Sequence, residues 1–134
     1  MRTASVLLVG LPAVLLLAGC GADDERRQAA TVADTFAADI AGDPQAACEL
    51  LAPRTRQSVE QDGEPCARVL EQDDLPTPGE RMAVSVAGHS AQVRYAEDTV
   101  FLSLFDDGWR VTAAGCARTS SDPAVPYDCT VEGS

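Results

Sequence analysis

The sequence predicts an α+β domain in which N-terminal helices pack on a four-stranded antiparallel meander, and three observations carry that expectation. Apolar positions recur with a period near 3.6 up to Leu70 and with a period of 2 from Met82 onward. Between the two regimes stands "LPTPGE", Leu75 to Glu80, whose prolines and glycine neither a helix interior nor a central strand accommodates. The joints between the later apolar runs are two or three residues long, too short for anything but antiparallel neighbours.

The first element stands apart from the domain. Arg2 supplies a positive start, and Val6 to Ala18 is an apolar run too short to span a bilayer, so residues 1–19 read as a signal peptide. Leu17-Ala18-Gly19-Cys20 resembles the bacterial lipobox. The resemblance implies that the Cys20 thiol is alkylated by diacylglycerol and that the peptide is cut before it. The chain would then be anchored without a transmembrane helix, two or three acyl chains holding firmly because each buried methylene contributes about 0.8 kcal/mol. Residues 20–25 form the lipidated cysteine and a short tether, roughly 15–20 Å if extended. The domain itself occupies residues 26–134.

Helices come next. From Asp24 to Gly42, Ala29, Ala33, Phe36 and Ile40 fall on one stripe, with acids at the start and glycine at the end. Asp43-Pro44 pairs an N-cap with proline at the first helical position and opens a second helix through Leu51. A third helix starts at Pro53. A fourth starts near Glu64-Pro65 and carries Cys66, Val69 and Leu70.

Four strands follow the break. Met82, Val84 and Val86 alternate, then Ala91, Val93 and Tyr95; "TVFLSLF" is apolar on both faces; Trp109, Val111 and Ala113 alternate again. Their joints are Gly88-His89, Ala96-Glu97-Asp98 and Asp106-Asp107-Gly108. The third strand is expected to be central, because both of its faces need cover. "SSDPAVPYDCTVEGS" is rich in proline, serine and aspartate and reads as an irregular tail pinned at Cys129.

Composition narrows the partners. The net charge is −11 and every basic group is arginine. Loss of the signal peptide removes Arg2 and leaves nine arginines against 21 acids. That balance argues against nucleic acid, whose phosphates require a basic surface, and against lying flat on anionic headgroups. Aromatic residues are few, so the core must be built from Ala, Val and Leu, and a domain with so little apolar area gains from cross-links.

"AGDPQAACELLAPRTR", "EPCARVL", "TVFLSLFDDGWRVTAAGC" and "PYDC" together resemble a group of small, uncharacterised actinobacterial lipoproteins. Their helices followed by a curved antiparallel sheet are similar to the NTF2-like fold, a cone that wraps around its first helix. The resemblance implies little about activity, because NTF2-like proteins include isomerases, dehydratases, binding modules and adaptors.

With Cys20 lipidated, Cys48, Cys66, Cys116 and Cys129 remain, an even number in an exported chain, and four thiols allow three pairings. Local pairing is expected, Cys48 with Cys66 and Cys116 with Cys129. A zinc site lacks both a Cys-x-x-Cys and a neighbouring histidine, since His89, the sole histidine, lies far from the cysteines in sequence. No nucleophile stands beside a base, so no catalytic residue, metal or cofactor is assigned. Asp73-Asp74 and Asp106-Asp107 read as a helix end and a hairpin turn rather than an acid/base pair or a calcium loop. Arg54 and Arg56 read as solvated helix residues, with recognition of an acidic partner as the alternative. Trp109 is either core or the wall of a pocket.

The expectation for function is a lipid-anchored module on the outer face of the cytoplasmic membrane, binding a small apolar ligand or an envelope protein. A candidate pocket is lined by Phe36, Ile40, Tyr95 and Trp109. An NTF2-like enzyme using one buried carboxylate is the first alternative, distinguished by an acid inside an apolar pocket. An adaptor of a membrane complex is the second, distinguished by a contiguous exposed apolar patch.

Overall fold

The computed structural model describes residues 20–133. The expected signal peptide, residues 1–19, lies outside the described residues, as does the side chain of Cys20. No helix among the described residues is long and apolar enough to cross a membrane.

Helix α1 (Cys20–Gly42) is longer than its apolar stripe. The segment expected to be an extended tether is helical from Cys20 onward, because Asp23–Arg26 and Asp24–Arg27 form i,i+3 ion pairs, each at 2.9 Å, that favour the first turns. Five residues therefore rise about 8 Å instead of 15–20 Å, and Cys20 stands at the first residue of α1. Ala29, Ala33 and Phe36 are buried, and Ile40 is half-buried. The small side chains let α1 lie close across the sheet.

Three seven-residue helices follow: α2 (Pro44–Leu50), α3 (Pro53–Val59) and α4 (Cys66–Gln72). Asp43 caps α2 as its composition predicts, accepting the Ala46 N–H at 3.2 Å. Neither α3 nor α4 has a side-chain cap, so both lean on tertiary contacts. Cys48 and Cys66, both buried, are disulfide-bonded, and Cys116–Cys129 is the second bridge. Both are the local pairings.

The sheet has five strands, not four, in the order β1 (Arg81–Ala87), β2 (Ser90–Tyr95), β3 (Thr99–Phe105), β4 (Gly108–Arg118), β5 (Tyr127–Glu132). All neighbours are antiparallel and the sheet is open, β1 and β5 forming its two edges. The expected irregular tail is thus only 119–126; beyond Pro126 the alternation Tyr127, Cys129, Val131 takes over and pairs with Arg118, Cys116 and Ala114. Proline and serine obscured that period in the sequence.

One irregularity joins the layers. The β3–β4 register shifts between Phe101↔Ala113 and Leu102↔Val111, leaving Thr112 without a partner on β3. The freed carbonyls are used by the helical layer and the C-terminus. The Val111 carbonyl accepts the Ala52 N–H at 2.8 Å; the Thr112 carbonyl accepts Thr55 Oγ1 and the Gly133 N–H, each at 3.1 Å. Inside, Val93, Val100, Leu102, Trp109, Val111 and Val131 meet Phe36, Cys48 and Leu70 in one core.

Candidate functional site

The two halves of the expected pocket are separated. Phe36 and Ile40, from the C-terminal half of α1, line a cavity of about 140 Å³ together with Val100 at the start of β3 and Leu75, Pro76 and Pro78 from the irregular segment. Tyr95 is elsewhere: it is buried, and its hydroxyl donates to Asp34 Oδ1 at 2.7 Å. Asp34 also pairs with Arg81, so Tyr95 and Arg81 together clasp α1 to β2 and β1. Burial and the carboxylate that accepts its proton both hold the Tyr95 phenol in its neutral form to well above its ordinary pKa.

Trp109 likewise does not line Phe36's cavity. It is buried in the core and forms one side of a wider groove of about 480 Å³ between the N-terminal half of α1 and the β3–β4 hairpin, with Val32, Leu50, Arg27 and Arg110. Its Nε1–H is buried with no acceptor among the described residues. Trp109 is therefore both core and wall.

The cavity holds one group that sequence reasoning placed in a turn. Asp98 follows Ala96-Glu97 in the β2–β3 joint, where its backbone carbonyl accepts the Tyr95 N–H at 2.8 Å, and it is only 9 % exposed. Its Oδ1 accepts the Cys116 N–H at 2.9 Å, and the Thr99 and Gly115 N–H groups also point to the carboxylate. The side chain thus substitutes for a strand partner just before β3 begins, where β4 continues alongside β5. Burial raises its pKa above the usual carboxylate value, and the three backbone N–H groups act in the opposite direction without cancelling it. What marked it in the sequence was only its place before a strongly apolar strand.

Gly115 is the reason β4 can pass this point. Its φ is +65°, and a Cβ there would stand 2.7 Å from Leu75 Cδ2 and 2.8 Å from Thr130 Oγ1. Leu75 reaches both this glycine and the cavity, so the rim is packed against the strand that Asp98 holds. The other rim is fixed by the Ala96 and Glu97 N–H groups, which donate to the carbonyls of Glu80 and Pro78 at 2.9 and 3.0 Å.

The remaining expected candidates lie apart. His89 is exposed in the β1–β2 turn, its carbonyl accepting the Leu104 N–H. Asp107 pairs with Arg110 at 2.5 Å, which holds its carboxyl below the usual range, and Asp73 ends α4. Arg56 pairs with Glu60 on its own helix, and Arg54 is exposed. Among the described residues no three His, Cys, Asp or Glu side chains gather as a metal site. Comparison with protein-family models, with curated proteins and with solved structures finds no match to this chain.

Proposed function

We propose that the protein is an extracytoplasmic lipoprotein, anchored through Cys20 to the outer face of the cytoplasmic membrane, and that its domain is a non-catalytic module binding a small apolar ligand. The observation that carries this reading is the cavity between α1, the 75–78 segment and β3. At about 140 Å³ it matches a single aromatic ring rather than a drug-sized ligand, and its walls are Phe36, Ile40, Val100, Leu75 and two prolines. Export is supported by the lipobox-like Leu17-Ala18-Gly19-Cys20 and by two disulfides, which persist in oxidising compartments. The open five-stranded sheet over helices is compatible with an NTF2-like cone.

One observation favours a second reading. Asp98 brings a carboxyl of raised pKa to an apolar cavity, as a proton-transfer enzyme requires. Against it, the carboxylate already accepts backbone N–H groups and serves the strand junction. The adaptor reading has less support. Among the described residues the large exposed apolar side chains, Met82, Phe105 and Val125, come from the start of β1, the end of β3 and the 119–126 segment. In an antiparallel sheet the first two stand at opposite ends.

The test is a titration of the full chain in non-ionic detergent with toluene and indole, followed by thermal shift. Saturable stabilisation is expected, and Ala37→Leu, which adds methyl groups at the cavity wall, should abolish it in a protein that still folds. Unchanged probe binding in that variant overturns the ligand reading. Turnover of a bound carbon acid that disappears in Asp98→Asn while probe affinity is retained replaces it with the enzyme.

A further inference from the structure

The face of the sheet turned away from α1 carries a cluster that the cavity does not use. Gln92 and Phe101 stand opposite each other across β2 and β3, one residue out of phase with the buried Val93 and Val100. Tyr127, the first residue of β5, reaches over to them. Its ring lies 5.1 Å from Phe101, edge-on, and its hydroxyl accepts Gln92 Nε2–H at 3.0 Å. The Arg118 guanidinium sits 5.0 Å from the centre of the Tyr127 ring. Arg94 shares the face of β2 with Gln92. Hydrogen bonding from Arg118 and then from Gln92 holds the Tyr127 phenol below its ordinary pKa, and the charges of Arg118 and Arg94 add to this. Arg118, a phenol and an amide therefore meet at Tyr127, and Arg94 lies beside Gln92 on the same face.

These arginines differ from most others in the chain. Arg26, Arg27, Arg56, Arg68, Arg81 and Arg110 each hold a carboxylate. Among the described residues Arg94 and Arg118, like Arg54, form no ion pair, although acids outnumber arginines twofold. Arg118 donates to the carbonyls of Ser120 and Asp122, which fixes its head beside Tyr127. A shallow depression of about 100 Å³, lined by Ala83, Ser85, Gln92 and Arg94, opens alongside. Guanidinium groups suit carboxylate and phosphate oxygens, and an aromatic edge with neighbouring amide and hydroxyl donors suits the polar ring body that carries such groups.

We infer that this outer face is an oxyanion-binding site, taking a carboxylate or phosphate between Arg94 and Arg118 while the rest of the ligand lies along the depression between β1 and β2. It is independent of the cavity, from which the sheet itself separates it. Isothermal titration of the full chain in non-ionic detergent with inorganic phosphate, a galacturonate oligomer and a neutral galactose oligomer of equal length tests it. At least one anionic probe should bind and the neutral one should not; which anion binds identifies the source of the charge. Arg94→Gln and Arg118→Gln should each weaken binding about tenfold, the worth of one charge-assisted hydrogen bond. Since Arg118 also braces the 120–122 loop, Arg94→Gln is the decisive variant: it removes no ion pair found among the described residues. Ala37→Leu should leave anion binding unchanged. Equal affinity of wild type and Arg94→Gln, equal binding of the neutral oligomer, or no binding of either anion at millimolar concentration overturns the site.

Discussion

Cys48–Cys66 ties two seven-residue helices together, whereas Cys116–Cys129 ties two strands that are already in register. The sequence separations are similar, 18 and 13 residues. In the chain-entropy view each bridge therefore contributes about 3 kcal/mol through the unfolded state. The difference lies in what remains when the bridge is cut. Helices of this length are marginal alone, and α4 has no side-chain cap, so the α2–α4 contact relies on its core sulfurs and Leu70. Strand β5 keeps its backbone ladder to β4, the burial of Val131 and the Gly133–Thr112 hydrogen bond. A cross-link of the same nominal strength is thus structural scaffolding in one region and reinforcement in the other.

The largest effect that would sharpen this contrast is expected from Cys48→Ala with Cys66→Ala. Loss of the bridge and of two buried sulfur atoms should cost about 3–5 kcal/mol, measured by urea unfolding, with the helical signal lost together with the sheet. Cys116→Ala with Cys129→Ala should cost less, roughly 2–3 kcal/mol, because opening of the β5 edge limits the loss. Hydrogen exchange should then accelerate at residues 127–132 while α2 and α4 stay protected. Equal losses in the two variants, or exchange that spreads into the helices in the second, would break the comparison.

The same contrast explains what could be read from the chain. The helical region announces itself through local rules: Ala29, Ala33 and Phe36 are spaced for one face, and Asp43-Pro44 is a cap followed by proline, so these elements are where the spacing puts them. The acids and arginines at 23–27 carry a helical signal too, but it lies in side-chain pairs three residues apart rather than in an apolar stripe. The C-terminal region hides its strand behind Pro123 and Pro126, because its partner is supplied by β4 and not by its own composition. Site residues follow the same division. Phe36 and Ile40 were visible as a stripe, whereas Asp98 and Tyr127 act through groups distant in sequence, at Cys116 and at Gln92 and Phe101. Joining Phe36, Ile40, Tyr95 and Trp109 in one pocket required the curvature of the sheet, which period alone does not contain.

The smallest effect sits where the two regions meet, at Asp98, and its sign separates two physical accounts. Because its folded pKa is raised above the ordinary 3.8, the folded state binds the proton more tightly than the unfolded chain. Its contribution to stability is then greatest below pH 3.8 and is lost as pH rises through the folded pKa, staying flat above it. Asp98→Asn retains an oxygen for the Cys116 N–H and removes the charge. Relative to wild type it should be neutral in acid and slightly more stable at pH 7, measured by urea unfolding along a pH series. If burial dominates, the two curves diverge upward through that window. If the N–H groups of Cys116, Thr99 and Gly115 dominate, the variant is instead the less stable at neutral pH, and exchange protection at Gly115 and Cys116 falls with it. The second outcome would mean that the strand junction depends on an ionised carboxylate, and that Asp98 is engaged there rather than available to anything entering the cavity.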